Sequence, residues 1–543
     1  MLFVFFISIA EVKFGTPETL LGQSLRFTTM ENLWRKEENC SRSVYVDLFE
    51  FFLEENAQTP DDHSKLRVNQ KRNQRSTELR NAGNDKFLAG NMLDAMRCYN
   101  QSVCYAEIGS ENIPLAYINL SACFGRLQMH DKALRSIELA KQANLPDRMR
   151  LKVEQLEKRS QKMIDSIERR PNYSPKLSYE ADTNYTSIAN VLEIKQNDVF
   201  GRHIVAKCDI PVGKIVLLEE CFVACTDQGH DMCYTCYRQM DNFIPCPNCV
   251  DVLFCSTDCM NRNTMHKWEC GMGSITDHII CKLTVEAILV AIDTFSGVEN
   301  LMDFIDTNLC GDNRDQLPSS VHDAESKFHF YLKLTKTGMF HDLLLFDVHK
   351  VYNSILTVSK IADLFDSKDR QRFLMHLVAH IYYVNRANAI GSENIRKVIN
   401  VFSMINHSCA PNLYTRYAGK VHHCITIRPV KKGEQLFINY LGTQKQTLNQ
   451  RQAELKSKWD FLCNCDKCEP LGESIDRETM VGDPAYSFIT ENCKEMDKAS
   501  VVFDESENFL NKYAHTWSED VETVQEIYKS ALILEHFKNT LQA

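Results

Sequence analysis

The 543-residue sequence has no surplus of positive charge, no apolar stretch long enough to span a bilayer, and no compositional extreme. It carries 62 Lys and Arg against 72 Asp and Glu, a net charge of −10. That argues against a general nucleic-acid binder, because tracking phosphates needs a concentrated basic face. Glycine and proline are sparse, at 20 and 14 residues, and hydrophobic and charged residues stand at 44% and 25%. Collagen, coiled coil and disorder throughout are thereby excluded as overall descriptions. The apolar run Met1–Ala10 is too short for a membrane span. It also lacks the basic residues and cleavage site of a secretory leader, so a docked N-terminal segment or a gene-model artefact is expected. At about 100–200 residues per domain, the length suggests three or four domains.

Cysteine is the residue in excess, at 22. In a long chain this points to metal binding or buried thiols, not a disulfide framework. Eleven fall in two patterns with zinc spacing. The rest (Cys40, Cys98, Cys104, Cys123, Cys208, Cys221, Cys225, Cys281, Cys310, Cys424 and Cys493) are scattered, as expected for small buried hydrophobes. A reducing compartment, cytoplasm and nucleus, is the expectation.

Residues 1–76 read as an N-terminal segment and a polar linker. Helical pattern begins near Thr77. Small and aromatic residues (Gly83, Phe87, Gly90, Ala95, Tyr99) recur at helix-packing intervals, and a second unit runs from Pro114 through Ala133 and Ala140. The two units resemble TPR repeats, which stack helix pairs and offer a concave face to a partner peptide, so 77–170 is expected to be TPR-like. Short apolar runs around Asp209-Ile210-Pro211-Val212-Gly213 read as strand, turn, strand. Residues 275–380 read as helical, strand-like runs return at 401–440, and the tail 471–543 reads as helical. Strand pattern on both sides of the cysteine-rich and helical segments suggests one β domain carrying insertions. The expected fold class is multidomain α+β.

The first zinc pattern is Cys233-x2-Cys236, Cys246-x2-Cys249, Cys255-x3-Cys259 and His266-x3-Cys270. Two-residue gaps let both thiolates of a knuckle reach one ion. The last two pairs, at i and i+4, would each put two ligands on one helix face. Eight ligands suffice for two four-coordinate sites, and a segment this small needs its metals to fold. With every position filled by protein, both sites read as structural. The spacing resembles a MYND finger (233–270). That resemblance implies interleaved pairing, Cys233, Cys236, Cys255 and Cys259 on one ion and Cys246, Cys249, His266 and Cys270 on the other, and a proline-rich peptide as partner.

Further on stand Asn406-His407-Ser408-Cys409-Ala410-Pro411-Asn412, then Gly433-Glu434-Gln435-Leu436-Phe437-Ile438-Asn439-Tyr440, then Cys463-x-Cys465-x2-Cys468. With Gly201-Arg202-His203 upstream, these look like a SET domain and its cysteine-rich post-SET segment. With a MYND finger inserted and helical repeats in front, the chain resembles the SMYD family of lysine methyltransferases, in its TPR-bearing branch. The implied layout is a SET N-terminal part at 188–228, a helical SET insert at 275–380, the SET C-terminal core at 381–445, post-SET at 446–470 and a short helical tail. The resemblance further implies S-adenosylmethionine held by Gly201, Arg202, His203, Asn388, Asn406, His407 and Phe461. Ser403 and Ile405, expected on the same strand as Asn406, would add backbone contacts. Cys409 would join Cys463, Cys465 and Cys468 around a third zinc. A buried thiol at Cys409 beside a separate knuckle is the plainer alternative.

Methyl transfer to lysine needs a neutral amine, and at pH 7 deprotonating a free lysine costs about 4.6 kcal/mol. Desolvation and an adjacent sulfonium lower that cost. Tyrosine is a poor base at neutral pH, so Tyr440 is cast as the catalytic orienting and electrostatic group, near both methyl and nitrogen. His203 stands where many relatives have a second glycine, Cys221 where proline is usual, and Asn439 where cysteine is frequent. The expected function is transfer of a methyl group to a lysine of a histone or other protein, by a monomer. The alternative is a catalytically inactive SET-MYND-TPR adaptor. A DNA-binding zinc protein is disfavoured, because Arg238, Arg262 and Lys267 are too few for a phosphate-tracking face.

Overall fold

The computed structural model describes residues 70–166, 174–226, 230–271, 278–309, 316–335, 342–392, 395–442, 446–469, 477–495 and 498–540. The Met1–Ala10 run and the linker up to residue 69, with Cys40 and Cys310, lie outside them.

Helices α1 (Asn73–Leu88), α2 (Met92–Tyr105), α3 (Asn112–Arg126), α4 (His130–Gln142) and α5 (Arg150–Asp165) come first. α1 packs on α2 and α3 on α4 as helical hairpins. Ala95 and Ala133 are wholly buried, the small residues that let the helices close together. Gly83 is needed sterically, since a Cβ there would sit 2.5 Å from the Tyr99 ring. Buried Ser76 and Ser102 each donate a hydroxyl proton to the other's carbonyl oxygen, at 2.7 and 2.8 Å. The helix starts four residues before the expected Thr77. The Asn73 amide donates to Glu107 at 2.8 Å and accepts from its N–H at 3.1 Å, tying that start to the turn after α2.

The strands form small sheets. β1 (Leu192–Asn197) and β2 (Gly201–Ala206) are an antiparallel hairpin in register Leu192↔Ala206. β3 (Ile215–Glu220) belongs to a second sheet and β4 (Val223–Thr226) to a third. Then come the finger hairpin β5 (Ile244–Pro245) and β6 (Leu253–Phe254) and the short helices α6 (Thr257–Asn261) and α7 (His266–Glu269). The insert contributes α8 (Ile279–Phe295), α9 (Val298–Leu309), α10 (Ala324–Leu332), α11 (Asp342–Leu356), α12 (Ser359–Ala362) and α13 (Lys368–Asn388). The β domain resumes with β7 (Ile390–Ser392), β8 (Ile395–Val398), β9 (Asn406–His407), β10 (Leu413–Ala418), β11 (Val421–Thr426) and β12 (Phe437–Ile438). Sheet order is β10-β11-β3 and β4-β8-β7, so each sheet joins strands from before and after the insert. One core runs through both, from Ile204 and Val216 through Leu289 and Tyr382 to Val398 and Ile438. A β domain carrying insertions is therefore what the chain builds.

The chain ends in α14 (Leu448–Trp459), α15 (Arg477–Val481), α16 (Pro484–Asn492), α17 (Ala499–Tyr513) and α18 (Glu519–Thr540). These helices dock on the β domain, burying Phe509, Val524 and Tyr528 with Val212 and Ile427. Among the described residues, no helix is long and apolar enough to cross a membrane.

Candidate active site and metal centres

The Asn406–Asn412 motif and the 435–440 segment interlock. β9 and β12 run parallel, Asn406 opposite Phe437, and Ser408 N–H donates to the Ile438 carbonyl at 2.9 Å. Buried Asn412 clamps the join: its Oδ1 accepts from Phe437 N–H at 2.8 Å, and its Nδ2 donates to the Gln435 carbonyl at 2.9 Å. This brings Tyr440 onto the motif. Tyr440 N–H donates to His407 Nδ1 at 2.9 Å, and the phenol donates to the Ile405 carbonyl at 2.7 Å. Its ring lies 5.3 Å from that of His407 and 5.2 Å from that of Trp459.

These bonds settle protonation states. Because His407 Nδ1 accepts, the proton of the neutral ring is on Nε2, which lies 3.3 Å from Cys409 Sγ. Burial pushes the imidazole down to about 4, so it is neutral at physiological pH. Burial also pushes the Tyr440 phenol well above its ordinary value. Tyr440 therefore keeps its proton and acts as a donor, not a base.

The remaining residues expected around a cofactor are distributed unevenly. Phe461 packs 6.0 Å from the His407 ring. Gly201 has φ +60°, and open space where a Cβ would be. It follows Phe200, whose carbonyl accepts from Asn406 Nδ2 at 3.0 Å. His203 is buried, 5.6 Å from the Phe200 ring, with Nδ1 2.9 Å from the Gly201 carbonyl. Arg202, next along β2, points to the opposite face. There it borders a cavity of about 480 Å³ with Asp182, Tyr185, Gln196 and Leu317, which none of Asn406, His407, Tyr440 or Phe461 lines. Asn388 ends α13, and its Nδ2 donates to the Thr335 and Val384 carbonyls, both at 2.7 Å.

Two expectations are corrected. Ser403 is not on the strand of Asn406: residues 402–404 form a 3-10 turn. There the Ser403 hydroxyl donates back to the Ile399 carbonyl at 2.7 Å, closing the turn. The i, i+4 ligand pairs do not each share a helix face. Cys255 precedes α6, which starts only after the N-cap Ser256, and Cys270 follows α7 in a non-helical conformation.

The cysteine sets nevertheless converge. Cys233, Cys236, Cys255 and Cys259 form one group, and Cys246, Cys249, His266 and Cys270 a second. Cys409, Cys463, Cys465 and Cys468 form a third. In each, all donor atoms lie within 4.8 Å of one another. Sampled edges are 3.6 Å (Cys236–Cys255), 3.5 Å (Cys255–Cys259), 3.7 Å (Cys246–Cys270) and 3.6 Å (Cys468–Cys409). Tetrahedral zinc with bonds of about 2.3 Å has sulfur–sulfur edges of about 3.8 Å, whereas a disulfide is about 2.05 Å. The donor sets thus fit zinc. Buried Leu455 lies with Cys409, Cys463 and Cys468 in one small cluster that Phe461 and Trp459 cover.

Sequence reasoning missed the residues that fasten this assembly. Gln452 on α14 accepts from Cys463 N–H at 2.8 Å and donates to its carbonyl. Buried Arg428 donates to the Ala410 carbonyl at 2.9 Å and to Asp466 at 3.0 Å. It also donates to the Ala514 carbonyl at 3.1 Å and the His515 carbonyl at 3.0 Å. No local spacing announces either residue. The finger is held on the helical hairpins: Tyr117 OH donates to the Phe243 carbonyl at 2.9 Å and Lys132 Nζ to the Met240 carbonyl at 2.7 Å. On the other side, the Tyr234 hydroxyl is hydrogen-bonded to the Glu286 carboxyl of α8 at 2.6 Å and to Glu269, its single proton serving only one of the two.

The SET domain family matches residues 201–441. The chain is 22% identical over 263 residues to the "Protein-lysine N-methyltransferase SMYD4" of Danio rerio, covering 43% of this chain and 34% of that protein. It is 25% identical over 287 residues to the "SET domain and MYND-type zinc finger protein 6" of Schizosaccharomyces pombe, covering half of each. A SET and MYND domain-containing protein of Dictyostelium discoideum is 25% identical over 333 residues, 53% of this chain and 84% of that one. The chain thus spans a third to a half of the length of the first two relatives. Among solved structures, a Rubisco LSMT bound to AdoMet is similar at 10% identity and a TM-score of 0.27, over 65% of this chain and 87% of that one.

Proposed function

We propose that the chain, which matches the SET domain family over residues 201–441 and is similar to SET and MYND domain proteins, is a protein-lysine N-methyltransferase using S-adenosylmethionine. The observation that carries the reading is the interlock of β9 with β12. It sets the Tyr440 hydroxyl on the Ile405 carbonyl, one residue from Asn406.

Gly201, Asn406, the His407 backbone and Phe461 are the proposed cofactor contacts. The fit rests on the open space at Gly201 beside an Asn406 side chain that already holds the same loop. Bound S-adenosylmethionine supplies an electrophilic methyl group on a sulfonium. Phe461 and Trp459 exclude water from one side of the site. Tyr440, kept protonated by burial, orients the incoming amine by hydrogen bonding. The His407 imidazole acts within the protein, joining the Tyr440 backbone to the ligand Cys409. Ser403 and Asn388 support the turn and the helix end from which the site is built.

Three zinc ions are proposed, two in the finger and one joining Cys409 to the post-SET cysteines. The third ties the site to its cover, so cofactor affinity is coupled to metal. The helical hairpins are read as TPR-like repeats bracing the finger. Where they meet the finger their surface is already covered, and a partner peptide would use the remainder. A lysine-bearing protein is the substrate. A proline-rich peptide at the finger, a monomeric state and a cytoplasmic and nuclear location complete the proposal.

The test is calorimetric titration of zinc-loaded protein with S-adenosylmethionine, with Asn406→Ala as control. Saturable binding lost in the variant supports the enzyme. No binding by folded wild-type protein overturns it and leaves the adaptor reading.

A further inference from the structure

Outside the three cysteine-rich sets, His278, Cys281 and Asp347 bring a ring nitrogen, a thiol and a carboxylate within 4.8 Å of one another. The first two stand at the start of α8, three residues apart, and Asp347 is on α11. His278 is the N-cap residue of α8, yet its side chain caps no helix N–H. The ring is turned instead toward Cys281, with Nδ1 3.7 Å from Sγ. Tetrahedral zinc with bonds of about 2.0–2.3 Å separates a nitrogen and a sulfur ligand by about 3.6 Å.

Two further features suit a metal. Asp347 is oriented from behind, because the hydroxyl of fully buried Tyr382 on α13 donates to its Oδ2 at 2.5 Å. That is the outer-shell bond that fixes a metal-ligating carboxylate and leaves its other lone pairs for an ion. The charges also balance: a thiolate and a carboxylate carry −2, which a divalent ion neutralises, while Cys281 is wholly buried and His278 is exposed. An ion therefore has an approach from solvent on the histidine side.

We propose that His278, Cys281 and Asp347 form a further metal site, of the open three-ligand kind, for zinc or another borderline divalent ion, bracing α8 against α11. The mixed nitrogen, sulfur and oxygen set disfavours magnesium and calcium, which take oxygen ligands. Binding releases one proton, from the Cys281 thiol, to solvent, and a water completes the coordination. This site shares no residue with the methyl-transfer centre and stands whether or not that reading holds.

The test is metal content per chain by plasma mass spectrometry, on full-length protein equilibrated with zinc and freed of excess by gel filtration. The expected result is one zinc fewer per chain in His278→Ala, in Asp347→Asn and in Cys281→Ser than in the wild type, with unchanged circular dichroism. Under a mild chelator, the wild type should release one ion ahead of the rest, and His278→Ala should lack that early release. Cys281 is buried, so its serine variant can fail to fold; His278 is exposed, and its variant then decides the matter. Equal zinc content and identical release curves in folded His278→Ala and wild type overturn the proposal.

Discussion

Replacing Arg428 by methionine should loosen the C-terminal helices from the post-SET segment while leaving the rest of the protein folded. The arginine stem is retained in size, but the guanidinium fork is lost. That fork spans three parts of the chain: the Ala410 carbonyl beside Cys409, the Asp466 carboxylate between Cys465 and Cys468, and the Ala514 and His515 carbonyls after α17. Asp466 also accepts from Trp517 N–H at 2.9 Å, so it stays partly satisfied. The Arg428 side chain is 10% exposed and that of Asp466 21%. Breaking a buried pair costs about 3–5 kcal/mol. Partial exposure of Asp466 and its second partner put the expected loss at the lower end, about 3 kcal/mol, or roughly a hundredfold in an opening equilibrium. Amide hydrogen exchange reads this directly. Protection around residues 510–520 and 463–468 should fall by roughly that factor, while α1–α5 is unchanged. Arg428→Lys keeps the charge without the fork and should fall between. Exchange at 510–520 within twofold of the wild type would refute the claim that this arginine joins the C-terminal helices to the post-SET segment.

Other outcomes follow from single contacts. Tyr440→Phe should fold, bind S-adenosylmethionine and lose methyl transfer to lysine-bearing protein; unchanged turnover would remove the hydroxyl from the mechanism. Gly83→Ala forces a methyl group to 2.5 Å from the Tyr99 ring. It should cost about 1–3 kcal/mol, seen as a lower melting temperature of the helical hairpins; an unaltered melt would mean that the ring yields freely. Glu286 is held up to about 8 by burial and by neighbouring Glu269. Its folded value lies above the unfolded one near 4.5, so the folded state binds the extra proton and stability declines as pH rises through that interval. The stability advantage of Glu286→Gln over the wild type should widen from pH 6 to pH 9, by on the order of 2–3 kcal/mol. Parallel stability curves from pH 6 to 9 would show that Glu286 is ionised throughout.

Metal sets and the order of motifs were legible in the sequence, because zinc chemistry requires particular donors at short spacings. Cys233 to Cys270 and Cys409 with Cys463, Cys465 and Cys468 converge in the groupings the resemblance implied. Helical hairpins were legible for a similar local reason, since Ala95, Ala133 and Gly83 are small where helices must close. The failures share a cause. Ser403 left its expected strand because its backbone N–H and its hydroxyl both turn back to the Ile399 carbonyl four residues earlier. Arg202 parted from Gly201 and His203 because neighbours on a strand face opposite ways, and only the packed sheet says which face meets the site.

Local spacing thus determined which side chains converge as sets fit for a metal. Tertiary structure decided what holds them in place. Arg428 reaches Ala514, Gln452 reaches Cys463, and Tyr234 reaches Glu286. His278 and Cys281 meet Asp347 only because α8 and α11 pack side by side. Such contacts join residues far apart along the chain. Their geometry comes from burial of a common core, which the order of residues along a single segment does not encode.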